Sequence, residues 1–145
     1  MLVHQILKSK PSGGVVTVPS TATVSTAATL LAEKRIGTVV ISDDDGQTAD
    51  GILSERDIVR ELARTGAECL IKPVSTYMTR KLVTCTSEMK SEEVLQTMTN
   101  GRFRHMPVVE DGKLIGLITL GDVVKSQLTQ LSMEKDALEG MIMGY

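Results

Sequence analysis

The residues best placed to do chemistry occur twice. Gly51-Ile52-Leu53-Ser54-Glu55-Arg56-Asp57 and Gly116-Leu117-Ile118-Thr119-Leu120-Gly121-Asp122 share the pattern Gly-x-x-[Ser/Thr]-x-x-Asp. In each, a short apolar run gives way to helix-forming sequence, so the pattern marks the end of a strand and the start of a helix. At such a junction the unpaired backbone N–H groups and the positive end of the helix dipole favour an anionic or hydroxyl-rich ligand. A carboxylate there can accept hydrogen bonds from both hydroxyls of a ribose, and the Ser or Thr hydroxyl adds a further polar contact. The same spacing is also a helix-capping box, and the two roles are compatible. Recurrence within one duplicated frame, each time with a glycine three residues upstream that permits close backbone approach, points to a site as well as a cap.

Other reactive residue types are sparse. Two cysteines, Cys69 and Cys85, and two histidines, His4 and His105, give no metal-ligand spacing, so reduced thiols and no metal are expected. Asp43-Asp44-Asp45 lacks the alternating ligands and distal Glu of a calcium loop and reads as a solvated turn. Arg56 reads as a first-turn residue in water, and Arg104 and His105, taken alone, as a strand edge. The eight methionines suit core or interface filling. No Ser-His-Asp set, Walker loop or Gly-x-Gly-x-x-Gly loop is present, so catalysis is not expected.

Composition narrows the partners. Of 145 residues, 40 are Leu, Ile, Val or Phe, which is enough for a folded core. The formal charge of −2 offers no basic excess for a phosphate backbone, and one Phe, two Tyr and no Trp offer few stacking platforms. Nucleic acid is not an expected partner. Twenty-two uncharged residues separate Lys10 from Glu33, but Pro11, Gly13, Gly14, Pro19 and eight Ser/Thr among them argue against a membrane span. Residues 1–8 lack the long apolar region of a secretion signal, so a cytoplasmic location is expected.

These elements must be positioned by a duplicated fold. A shift of 67 lays Val16-Thr17 on Val83-Thr84, Leu31 on Met98 and Ile36 on Phe103. Beyond the turns Asp43-Asp44-Asp45-Gly46 and Glu110-Asp111-Gly112 the shift becomes 65, which places Asp57 on Asp122. A length change confined to a polar turn is what a duplicated fold tolerates best. Each copy reads as strand, helix, strand, hairpin, strand, helix, giving an α/β (α+β) fold of two β-α-β-β-α repeats. The expected organisation is a helical segment at 1–10, repeat one at 11–64, a linker at 65–73, repeat two at 74–125 and a helical tail at 126–145. In the first copy the opening strand is Val15–Val18, and in the second Leu82–Cys85. A repeat of about sixty residues buries too little surface to stand alone, so the copies should pack pseudo-symmetrically, sheet against sheet. Leu128, Leu131, Leu138, Met141 and Ile142 give the tail an apolar face suited to a homodimer.

The two motifs, together with Arg102-Phe103-Arg104-His105-Met106-Pro107-Val108-Val109 and Val74-Ser75-Thr76-Tyr77-Met78-Thr79, resemble a tandem pair of cystathionine-β-synthase-type (CBS) domains, the Bateman module, over roughly residues 10–125. The resemblance implies an adenosine-containing ligand, AMP, ADP, ATP or NAD(H), between the repeats, with AMP and NAD(H) ranked first. It also implies a non-catalytic sensor that regulates an effector protein on another chain; the alternative is a ligand-free dimeric scaffold. Carried over by residue, Thr119 and Asp122 hold the ribose, Arg104 and His105 reach phosphate beside Pro107, and Val15, Val16, Thr17 and Val18 line the base. In a second cleft Ser54 and Asp57 take the ribose, with Arg56 near an extended ligand, and Leu82, Val83 and Thr84 cover the base. There Gly37 and Thr38 replace the basic pair, so phosphate binding is expected only in the first.

Overall fold

The computed structural model describes residues 1–10 and 14–143. The first three residues expected in repeat one and the last two of the tail lie outside the described residues. The chain runs α1 (Val3–Ser9), β1 (Thr17–Val18), α2 (Val24–Lys34), β2 (Thr38–Ile41), β3 (Gly51–Ser54) and α3 (Glu55–Thr65), then α4 (Ser91–Gly101), β4 (His105–Glu110), β5 (Lys113–Thr119) and α5 (Leu120–Met143). Two 3-10 turns, Gly66–Ile71 and Val74–Thr76, join the halves.

In the first half β1 pairs parallel with β2, and β2 pairs antiparallel with β3. The β-branched residues Val39, Val40 and Ile41 are fully buried, Val39 and Ile41 in the core that the helices of this half cover. In the second half β4 and β5 form an antiparallel ladder. The strand expected at Leu82–Cys85 is reduced to one residue: Cys85 donates to the Pro107 carbonyl at 3.0 Å and accepts from Val109 N–H at 2.9 Å. Only Cys85 reaches the core, whereas Val83 is 45% exposed, so side-chain burial does not hold an extended run in register.

Backbone details repeat with the sequence. Arg35 and Arg102 end α2 and α4 in the left-handed conformation, at φ 54° and 59°. Glu55 N–H donates to the Gly37 carbonyl at 2.9 Å, and its counterpart Leu120 N–H donates to the Arg104 carbonyl at 2.8 Å. Each half has its own apolar core, with Val24, Ala27, Val39 and Leu53 in one and Val94, Met98, Met106 and Ile118 in the other.

The segments that complete these cores are exchanged. Val74 and Met78, assigned by position to the second repeat, are buried in the first core, while Val3 and Ile6 of α1 are buried in the second. Matching backbone bonds anchor them: Val74 N–H to Ala22 O at 2.7 Å, and Val3 N–H to Met89 O at 2.9 Å. The boundary at residue 74 is thus a boundary along the chain and not in space. The two motif glycines serve this docking. A Cβ at Gly51 would lie 2.6 Å from the Met78 sulfur and 3.0 Å from the Thr79 carbonyl oxygen, and one at Gly116 would lie 2.9 Å from Leu7. What their small size admits here is the exchanged segment.

The last helix, α5, spans 24 residues, roughly 36 Å. From Leu128 onward it carries Leu128, Leu131, Leu138, Met141 and Ile142, all exposed.

Candidate functional site

Both motifs fall at a β-to-α junction, where the strand delivers the Ser or Thr and the first helical turn delivers the Asp. At the second junction Asp122 Oδ2 accepts from Thr119 N–H at 2.9 Å, and Asp122 N–H donates to Thr119 Oγ1 at 3.1 Å. This reciprocal cap satisfies two donors at the start of α5. The same oxygen, Oδ2, also receives the Lys10 ammonium at 2.9 Å, and Lys10 Nζ donates to the Leu117 carbonyl at 2.9 Å. Among the described residues, Oδ1 of Asp122 has no hydrogen-bond partner.

The first junction has the same cap but a different occupancy. Asp57 Oδ2 accepts from Ser54 N–H and Ser54 Oγ, both at 2.9 Å, and Asp57 N–H donates to Ser54 Oγ at 3.2 Å. Its other oxygen, Oδ1, is taken by the Arg60 guanidinium at 2.8 Å. Asp57 therefore has both oxygens engaged from within its own helix turn, and Asp122 has one.

A cleft of about 1000 Å³ opens between the two halves. Val15, Val16, His105 and Thr119 line it, as assigned from the sequence. Gly37 and Thr38, assigned to the second cleft, line this same one. The reason is that β2 and β4 begin side by side: a Cβ at Gly37 would sit 3.7 Å from His105 Nε2 and 3.8 Å from Glu55 Oε1. The Thr38 hydroxyl is buried at the cleft wall with no hydrogen-bond partner among the described residues. A buried hydroxyl left unpaired is costly, so it marks a position that a bound polar group would satisfy.

The remaining assigned residues stand elsewhere. Thr17 and Val18 form β1, with Val18 packed in the first core, and Pro107 is buried within β4. Arg104 is exposed beside His105, outside the cleft lining. Asp122 borders a smaller cavity of about 190 Å³, and Lys10 lines both that cavity and the main cleft. Ser54, Asp57, Arg56, Leu82, Val83 and Thr84 do not line the main cleft.

Burial of the His105 ring, reinforced by the Arg104 and Lys10 charges, holds its pKa below the ordinary imidazole value, against the opposing pull of Asp122 and Glu55. The ring is consequently neutral at pH 7, with one nitrogen able to donate and the other to accept. Burial pushes the Cys85 thiol up to about 11, so it remains a thiol in the core. The Asp43-Asp44-Asp45 turn is held by its own hydrogen bonds: Asp44 accepts from Thr48 N–H at 2.8 Å and Thr48 Oγ1 at 2.7 Å. These bonds lower the Asp44 carboxyl to about 2. No cluster of three metal-ligating side chains occurs among the described residues.

Lys10, Lys34 and Arg35 line the cleft and were not singled out from the sequence. Arg35 had a signal, because the shift of 67 lays it on Arg102. Lys10 had none, since its partner Asp122 is 112 residues away and only the docking of α1 on the second half brings them together.

A profile of the CBS domain matches residues 5–64 and 74–129. The chain is similar to a CBS-domain containing protein from Agrobacterium tumefaciens, 41% identical with a TM-score of 0.82, the match covering 88% of this chain and 99% of that one. It is similar also to a CBS domain protein from Pyrobaculum aerophilum complexed with AMP, at 27% identity and TM-score 0.74 over 84% of this chain and 89% of that one. A third similar structure is the CBS domain pair of protein MJ0100 in complex with 5′-methylthioadenosine and S-adenosyl-L-methionine, at 25% identity and TM-score 0.77 over 90% and 98%. With two matched repeats, exchanged docking segments and a cleft between the halves, the chain belongs to the CBS domain family and carries the domain as a tandem pair.

Proposed function

We propose that this protein is a non-catalytic regulatory module that binds an adenosine-containing ligand in the cleft between its repeats and thereby modulates a separate protein. The observation that carries this reading is the cleft itself, where the unpartnered Thr38 hydroxyl, His105 and Thr119 from both repeats converge beside a helix N-terminus bearing Asp122. That wall offers hydroxyl contacts for base and ribose, and the imidazole stands with a cationic rim of Lys34 and Arg35 for phosphate. The AMP complex of the Pyrobaculum aerophilum relative and the methylthioadenosine and S-adenosylmethionine complex of MJ0100 support adenosine as the shared part of the ligand. The basic rim favours phosphorylated ligands over the sulfonium, and among them we rank AMP and NAD(H) first. Asp122 and Thr119 take the ribose, Arg104 and His105 take phosphate, and Val15 and Val16 lie along the base.

Signal transfer in this reading runs through α5, which starts at Thr119-Asp122 and ends in an exposed apolar face. That face fits a second copy of the chain, and light scattering at tens of micromolar is expected to show a homodimer. A thermal-shift panel of AMP, ADP, ATP, NAD, NADH and S-adenosylmethionine tests the binding step. A ligand at about 100 times its Kd adds about 2.7 kcal/mol of stability, a readily measured rise in Tm. No rise with any of the six leaves the ligand-free dimeric scaffold, which the exposed face of α5 also supports.

A further inference from the structure

The ribose-binding oxygen of Asp122 is already occupied by the chain itself. A carboxylate oxygen offers two lone pairs, and at Oδ2 these are taken by Thr119 N–H and the Lys10 ammonium, both at 2.9 Å. A vicinal diol that chelates a carboxylate needs both oxygens, and only Oδ1 is open. Lys10 is also held by the Leu117 carbonyl and lines both the main cleft and the small cavity behind it. It follows α1, which is docked on the second core through Val3 and Ile6. The ammonium thus stands between the ribose acid and the cleft, on a segment that α1 anchors.

We propose that Lys10 is an internal competitor for Asp122 and, through that competition, a residue by which the cleft discriminates phosphorylated from unphosphorylated adenosine ligands. This rests on the adenosine reading of the cleft. A nucleoside diol displaces the ammonium from Asp122 and leaves a half-buried cation without its counter-charge, which weakens nucleoside binding. A nucleotide displaces it equally but brings a phosphate into the same cleft, and the freed ammonium pairs with that phosphate. Lys10 therefore acts with opposite sign on the two ligands. Arg104, exposed and unpaired with Asp122, acts on phosphate alone.

The test is calorimetric titration of adenosine, AMP and ADP into wild type, Lys10→Ala, Lys10→Gln and Arg104→Ala. Lys10→Gln keeps a donor for the Leu117 carbonyl, so it remains informative if the alanine variant folds poorly. In the Lys10 variants adenosine is expected to bind at least about threefold tighter while AMP and ADP bind weaker, so that the preference for phosphate falls about tenfold or more. Arg104→Ala is expected to weaken AMP and ADP without strengthening adenosine. Adenosine binding that is unchanged or weakened in both Lys10 variants, while the nucleotides still bind wild type, overturns the competition and leaves the cleft reading standing. Absence of binding by all three ligands to every protein overturns both.

Discussion

The two helix starts of this molecule have the same cap and differ in what surrounds it. At Ser54–Asp57 both carboxylate oxygens are satisfied locally, by Ser54 and by Arg60 three residues on in the same helix. At Thr119–Asp122 one oxygen is shared between the cap and Lys10 from a distant segment, and the other is open among the described residues. An identical seven-residue pattern thus gives a closed structural corner in one repeat and an exchangeable one in the other. The pattern sets the cap; the tertiary neighbours decide whether the carboxylate remains available.

The broadest way to probe the comparison is through packing. Leu53→Ala and Ile118→Ala remove equivalent, fully buried side chains, and each is expected to cost about 2–5 kcal/mol in urea denaturation. Costs that agree within about 1 kcal/mol would show two repeats packed alike, and a large disparity would show that one core dominates. Next in size is ligand affinity. Asp122→Ala is expected to weaken AMP binding about ten- to a hundredfold, from the roughly 1.5–3 kcal/mol that a hydrogen bond to a charged group contributes, and Asp57→Ala far less. Equal small losses in titrations of the two variants would reduce both motifs to helix caps.

Substitution at the motif glycines sharpens the contrast further. Gly51→Ala drives a methyl against the Thr79 backbone and should cost about 1–3 kcal/mol. Gly116→Ala meets only the movable end of Leu7 and should cost less, which paired thermal melts will read. At about 1.4 kcal/mol, AMP is expected to bind at least about tenfold tighter than adenosine, with much of that margin lost in Arg104→Ala. The smallest effect concerns pH. Because the native His105 pKa is depressed, the unfolded chain takes up the proton first as pH falls below about 6.5, so this group lowers stability on the acid side and not above it. A bound phosphate opposes the depression, and NMR titration of the ring should show its pKa rising when AMP is added. A ring that titrates identically with and without ligand would place the phosphate elsewhere.

Much of this architecture was legible because duplication is a strong signal. The shifts of 67 and 65 located equivalent helices, hairpins and motifs, and the αL arginines fall where the first shift puts them. Local chemistry was legible too, since a Ser or Thr three residues before an Asp dictates the cap. What the sequence concealed depends on long-range placement. Leu82–Thr84 look β-branched and apolar enough for a strand, but only Cys85 finds a core-facing position. Gly37 and Thr38 were set apart from His105 by treating the two halves as separate frames, whereas the start of β2 abuts the start of β4. The pairing of Lys10 with Asp122 has no local signature at all.

The exchanged segments have a consequence for how the chain can be made and cut. The first half is contiguous only when it runs on through Val74 and Met78, past its boundary by position, whereas the second is discontinuous and needs Val3 and Ile6, made well before the Met89 to which they dock. Docking of α1 on the second half therefore closes a loop of more than eighty residues, a high-contact-order step that is expected to be slow. A nick in the polypeptide between the halves would yield two fragments that each carry part of the other's interior. Such fragments should reassociate when mixed, and a fusion that buries residues 1–9 elsewhere should injure the carboxy-terminal half while sparing the one it adjoins.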